Sequence, residues 1–166
     1  MSRAAQALEQ INFARGYALR LLDTIPHDRW FELPGGSPSH IGWQAGHLAI
    51  AQFRLGLERI RGKRENDSDF FPSHYLQLFG KDSVASPDTG AYPSPAEILG
   101  VMHNVHARLR EELPLLRDAD LDLPPHTDHP LAKTRLACLQ WAANHEMLHI
   151  GQIGLIRRML GFTPLW

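Results

Sequence analysis

Apolar residues recur at three- and four-residue spacing in four separate stretches of the chain. Ala4, Ala7, Leu8, Ile11, Ala18, Leu19 and Leu22 mark the first, which predicts an amphipathic helix from about Arg3 to Ile25, stopped by Pro26. After a Pro- and Gly-rich connection, Ile41, Ala45, Leu48, Gln52 and Leu55 predict a second helix from near Ser39 to about Arg61. The third has the clearest start: Ser94 as cap, Pro95 at the first helical position, and Glu97 placed to complete a capping box. Its stripe is Ile98, Met102, Val105, Leu109, Leu113 and Leu116, with Pro114 expected to kink or shorten the last turn. Thr134 caps the predicted fourth helix, which runs to about Leu160 and stops at Gly161. No stretch alternates with period two long enough to suggest a sheet.

Between the second and third helices, Gly62 to Tyr92 is irregular and carries Phe70, Phe71, Tyr75, Phe79 and Tyr92. It reads as a long connection with a short helix around His74 to Phe79. Two roles stay open for it: a loop pinned to the core by its aromatics, or a wall of a substrate pocket. The pattern predicts an all-α four-helix bundle with a long connection between helices two and three, a fold in which facing helices can assemble metal sites. At 166 residues the chain fits a single domain, residues 1–166.

Composition narrows the function by exclusion. Apolar residues make up 43% and charged residues 21%, ordinary for a soluble globular protein. A formal net charge of -1 gives no global attraction to nucleic acid, and no apolar run reaches the length of a membrane span. Cys138 is the only cysteine, so no intrachain disulfide forms; with no apolar export signal at the N-terminus, a cytoplasmic location is expected.

The chemistry-bearing motif is His145-Glu146-Met147-Leu148-His149, an H-E-x-x-H run on the fourth helix. Its histidines are one turn apart on a face shared with Cys138, Ala142, Gln152, Ile153 and Ile156, which reads as facing the bundle interior. Two buried imidazoles are costly unless partnered, and a divalent cation would use both lone pairs. A zincin protease uses the same pentapeptide, but no Asp, Glu or His follows His149, so a third protein ligand is sought upstream. His47, mid-way along the second helix, is the candidate. Glu146 lies about 100° from the ligand pair. It reads as a base acting through water, as a group orienting a ligand on a neighbouring helix, or as a plain ion pair. His106 on the third helix could bond within the pocket or protonate a substrate, and Cys138 reads as core filler. Arg29, Arg54 and Arg108 are candidates for holding a carboxylate.

Trp43-x-x-Gly46-His47-Leu48, followed late in the chain by His145-Glu146-x-x-His149-Ile150-Gly151-Gln152-Ile153, resembles the DinB/YfiT superfamily. The resemblance covers nearly the whole chain, including the helix order and the long crossover. It implies a DinB-like domain holding a divalent metal through His47, His145 and His149. Zn²⁺ is the first expectation, with Ni²⁺, Fe²⁺ or Mn²⁺ as alternatives. Some relatives carry a glutamate at the second ligand position, where this chain has His145. The resemblance further implies a small-molecule substrate, a low-molecular-weight thiol as cofactor and S-transferase chemistry. A metal-dependent hydrolase and a non-catalytic metal-binding or sensing module are the alternatives. Glu146 and His106 are then the candidate catalytic residues, no nucleic-acid or membrane partner is expected, and relatives' pairing suggests a homodimer. Trp141, Leu148, Leu155 and Met159 offer its apolar surface.

Overall fold

The structure is a computed structural model that describes residues 1–165. Its elements are helical throughout: α1 (Arg3–Asp23), α2 (Ile41–Phe53), α3 (Arg59–Arg61), α4 (Tyr75–Phe79), α5 (Pro95–Glu112) and α6 (Arg135–Met159). Helix α2 runs into α3 through a π-helical segment, Arg54–Glu58, so the predicted second helix is one continuous rod with a wide turn in it. Helix α1 packs along α6, while α2 packs against both α5 and α6; these four form the bundle. No helix among the described residues is long and apolar enough to cross a membrane.

Local chemistry sets the ends of the rods. Ser2 accepts from Ala5 N–H, and the Ser94–Glu97 capping box forms as its spacing requires. Thr134 accepts from Ala137 N–H at the start of α6. Helix α5 ends at Glu112, and Pro114 falls in a tight 3₁₀ turn, Leu113–Leu115, because proline cannot continue the helical hydrogen bonding. Helix α2, expected to begin near Ser39, begins at Ile41 with His40 as its cap: Nδ1 accepts from Trp43 N–H at 2.9 Å, and Nε2–H donates to Ser86 O at 3.1 Å. His40 is wholly buried and its imidazole is pushed down to about 4 by that burial.

The core is formed by the predicted stripes. Ile11, Ala18, Ile41, Ala45, Ile98, Met102, Val105, Leu109 and Ile153 are fully buried. Each large aliphatic side chain removed from water contributes about 1.5–3 kcal/mol. Two glycines set how closely elements approach. A Cβ on Gly46 would overlap the Phe79 ring of α4, and one on Gly56, within the π segment, would overlap Leu109 of α5. The 62–92 connection is pinned by its aromatics: Phe70, Phe71, Tyr75 and Phe79 are all buried, with Phe53 and Phe71 stacked at 4.2 Å.

Candidate metal centre

His47 comes from the middle of α2, and His145 and His149 from successive turns of α6. Their ligand-capable nitrogens all lie within 4.8 Å of one another. The rings are 4.5 to 5.3 Å apart between centroids. Two of the three rings have their tautomer fixed by the protein. His47 Nδ1–H donates to Phe79 O at 2.8 Å; a carbonyl can only accept, so the lone pair of this neutral ring is on Nε2. His149 Nδ1–H donates to Gln44 Oε1 at 2.6 Å, and the Gln44 amide nitrogen donates to Ser39 Oγ and Gln152 Oε1. That network sets which end of the amide faces His149. Nδ1 of His145 is buried without a hydrogen-bond partner. Trp43 stacks on His47 at 4.9 Å, nearly parallel, and is tied by its own N–H to Ser83 Oγ.

Electrostatics keep these rings neutral. Burial pushes the His149 imidazole down to about 3 and that of His145 down to about 4, with the other imidazoles adding to both. Burial also lowers His47. Three uncharged nitrogens, desolvated and converging, fit a divalent cation, for which proton competition at neutral pH would be small.

A model of the DinB superfamily matches residues 10–153, which include all three histidines. The chain belongs to the DinB superfamily. A search of curated proteins finds no match to it. As in the expectation for a DinB superfamily member, the three histidines are brought together from the second and last long helices.

Other sequence candidates lie elsewhere. Helix α6 is rotated from the orientation expected: Glu146 is at the centre of its buried face, 2% exposed, while His145 is half-buried on the flank. Glu146 is clasped by Arg15 of α1, with Nε to Oε1 at 2.5 Å and Nη2 to Oε2 at 3.3 Å. The same guanidinium donates to Met102 O of α5 and Leu48 O of α2, so one side chain links all four long helices beside the triad. Burial pushes the Glu146 carboxyl up, and the charge and hydrogen bonds of Arg15 oppose it. His106 is half-buried on α5 with Nδ1 unpartnered; burial and the nearby Arg15 lower its imidazole to about 4.

Two cavities meet at the triad. The larger, about 820 Å³, is lined by His47, His145 and Trp141, by Phe71 and Leu76 of the long connection, and by Arg54 and Arg59. The smaller, about 390 Å³, is lined by His47, His149, Trp43, Gln44 and Ser83. The connection thus has both of its expected roles, anchored by aromatics and walling a pocket. Glu146 and His106 line neither cavity, and nor do Arg29 and Arg108, which pair with Glu32 and Glu111.

Arg15, Gln44 and the carbonyl of Phe79 are not apparent from sequence as site residues. Arg15 leaves a faint signal, a charged residue next to Ala14 on the apolar stripe between Ile11 and Ala18. Gln44 and Phe79 leave none, since their roles arise from tertiary contact.

Proposed function

We propose that the protein is a divalent-metal-dependent enzyme acting on small molecules, by thiol-dependent group transfer. The observation that carries this reading is the convergence of His47, His145 and His149, neutral and partly pre-oriented, at a wall shared by two cavities. A bound divalent cation would favour the thiolate form of a coordinated thiol at neutral pH. The chain's own residues do the rest. Phe79 O and Gln44 hold the ligand rings in register. Trp43 covers one face of His47, and the two cavities that open on the histidines would leave room for a thiol and an electrophile.

Thiol transfer suits the surroundings better than hydrolysis. A hydrolase of the H-E-x-x-H type needs its carboxylate free to move a proton, whereas Glu146 has Arg15 as its partner and lines neither cavity. In this reading Glu146 positions His145 through the backbone of α6, and His106 does not touch substrate. Zn²⁺ is the metal proposed, because three imidazoles and an open position suit it. Pairing of two copies through the exposed Leu148, Leu155 and Met159 is part of the proposal, and light scattering across concentration tests it.

Metal content of the purified wild type, His47→Ala and His145→Ala proteins tests the centre, with stoichiometric metal expected in the first alone. Undiminished metal in both variants would sink the three-histidine assignment. The metal-loaded protein is then screened with several low-molecular-weight thiols against alkylating electrophiles, following thiol consumption. Turnover of an ester or amide with no thiol dependence would reject group transfer in favour of hydrolysis. Metal loading with no turnover of either kind would favour a binding module.

A further inference from the structure

The larger cavity contains a buried cation with no ion-pair partner among the described residues. Arg59 is 8% exposed, and its Nε is buried with no hydrogen-bond partner. Its recorded hydrogen bond runs from Nη2 to the uncharged Asp128 O at 3.2 Å. Among the described residues no carboxylate is within ion-pair distance of it. Nearby cations have carboxylate partners that it lacks: Arg54 and Lys63 pair with Glu58, Arg61 with Asp67 and Glu112, and Arg64 with Glu112. Cys138 stands close to Arg59, but burial raises its thiol pKa and keeps it from acting as a counter-anion. Burial and the nearby Arg54 lower the Arg59 pKa, and the charge of Glu58, beyond ion-pair distance, offsets only part of that. A buried guanidinium in this condition is costly to keep and calls for an anion.

The backbone puts Arg59 where a substrate could reach it. Successive helical residues turn by about 100°, so Arg54, seven residues after His47, returns to within about 20° of its direction. Twelve residues on, Arg59 would be about 120° away in a regular helix. The π turn over Arg54–Glu58 absorbs one extra residue and brings Arg59 back to within about 20°. Both residues line the larger cavity with His47.

His129 completes the corner. Its Nδ1 accepts from Leu131 N–H at 3.2 Å and Ala132 N–H at 3.0 Å, so the neutral ring carries its proton on Nε2. It follows Asp128, whose carbonyl holds Arg59. Its ring is 6.2 Å from Trp141, which in turn is 6.3 Å from His145. A cation and a neutral donor therefore stand two aromatic steps from the triad in one cavity.

We propose that Arg59 and His129 form the receptor for a carboxylate, so that the substrate of the triad is a small organic monoanion. Its carboxylate sits at Arg59 and its reacting end lies past Trp141 at His47 and His145. A single unmatched guanidinium suits one negative charge, and its planar fork matches a carboxylate. The role assigned to the reacting end rests on the metal-centre reading above; the receptor does not.

Hexanoate, hexanamide and hexyl phosphate are titrated into the full-length protein by calorimetry, with chelator and again after zinc loading. Wild type is expected to bind hexanoate at least tenfold more tightly than the other two in chelator. Arg59→Gln is expected to abolish that preference, and Arg108→Gln, outside the cavity, to keep it. Without ligand, Arg59→Gln is expected to melt no lower than wild type, since it removes an unmatched charge. Equal binding of hexanoate and hexanamide by wild type would overturn the proposal without recourse to any variant. So would preference for hexyl phosphate, or unchanged hexanoate affinity in Arg59→Gln. Arg59-dependent hexanoate binding in a protein that takes up no zinc would uphold the receptor and refute the metal centre. Zinc uptake without carboxylate preference would do the reverse.

Discussion

Replacing Gly46 by alanine is expected to damage the proposed metal centre without touching any of its three histidines. The added Cβ would stand 2.6 Å from Phe79 Cδ1, whereas carbon atoms in contact settle at about 3.5–4.0 Å. Phe79 is fully buried between α2 and the rest of α4, so its ring cannot swing into solvent and the segment must retreat by about 1 Å. The hydrogen bond from His47 Nδ1 to Phe79 O, now 2.8 Å, would then exceed 3.6 Å and cease to be one. Overpacking of this kind costs about 1–3 kcal/mol, and losing the partner that orients a ligand imidazole weakens metal affinity about 10–100-fold. Chelator-buffered zinc titration and urea unfolding, run on the same samples, read the two effects separately. A variant with wild-type zinc affinity would show that Phe79 O does not set the His47 ring, however its stability had changed.

Glu146→Gln leaves Arg15 buried without its counter-charge and is expected to cost about 3–5 kcal/mol in urea unfolding; a cost under about 1 kcal/mol would remove the structural role assigned to the pair. The double change Arg15→Met with Glu146→Leu is expected to recover much of that loss. Gln44→Leu strands His149 Nδ1–H in the interior and is expected to lower zinc affinity about 10–100-fold, against no change if the amide merely fills space. His40 holds its folded pKa near 4, below the unfolded value near 6.5, so the unfolded chain takes up the proton first. Its contribution is complete above about pH 6.5 and is lost as pH falls from there towards about 4, on the order of 3 kcal/mol. His40→Asn, which keeps a cap acceptor, is expected to flatten that acid limb; parallel wild-type and variant stability from pH 7 to 4 would contradict it.

Periodicity makes α1 and α6 legible to within about two residues and fixes the start of α5, whose end at Glu112 falls four residues short of the Leu116 stripe because Pro114 breaks the last turn. The histidine cluster was legible because its spacing on α6 is local and His47 stands in a recognisable pattern. What stayed hidden is non-local or depends on helix phase. The π turn has no sequence signature, so nothing in the order of residues puts Arg59 on the His47 face. The rotation of α6 was misjudged because Glu146, a charged residue, was not expected at the centre of a buried face. That position becomes tolerable only when Arg15, far away in sequence, supplies the opposite charge. His40 stands beside a proline-rich connection with no helical spacing to mark it, although its capping bond to Trp43 N–H fixes where α2 begins.

The Arg15 clasp also sets what could be transplanted. A designer who grafts His47, His145 and His149 onto another four-helix scaffold moves the ligands but not the device that fixes their relative height. Leu48, next to one ligand, and Glu146, next to another, both hang from the guanidinium that also grips Met102. A slide of α6 against α2 by one turn, about 5.4 Å, would break that grip before it altered the apolar character of either face. The portable unit is therefore the triad together with Arg15, Glu146 and the two helix carbonyls, since an all-leucine interior would accept the histidines in more than one register.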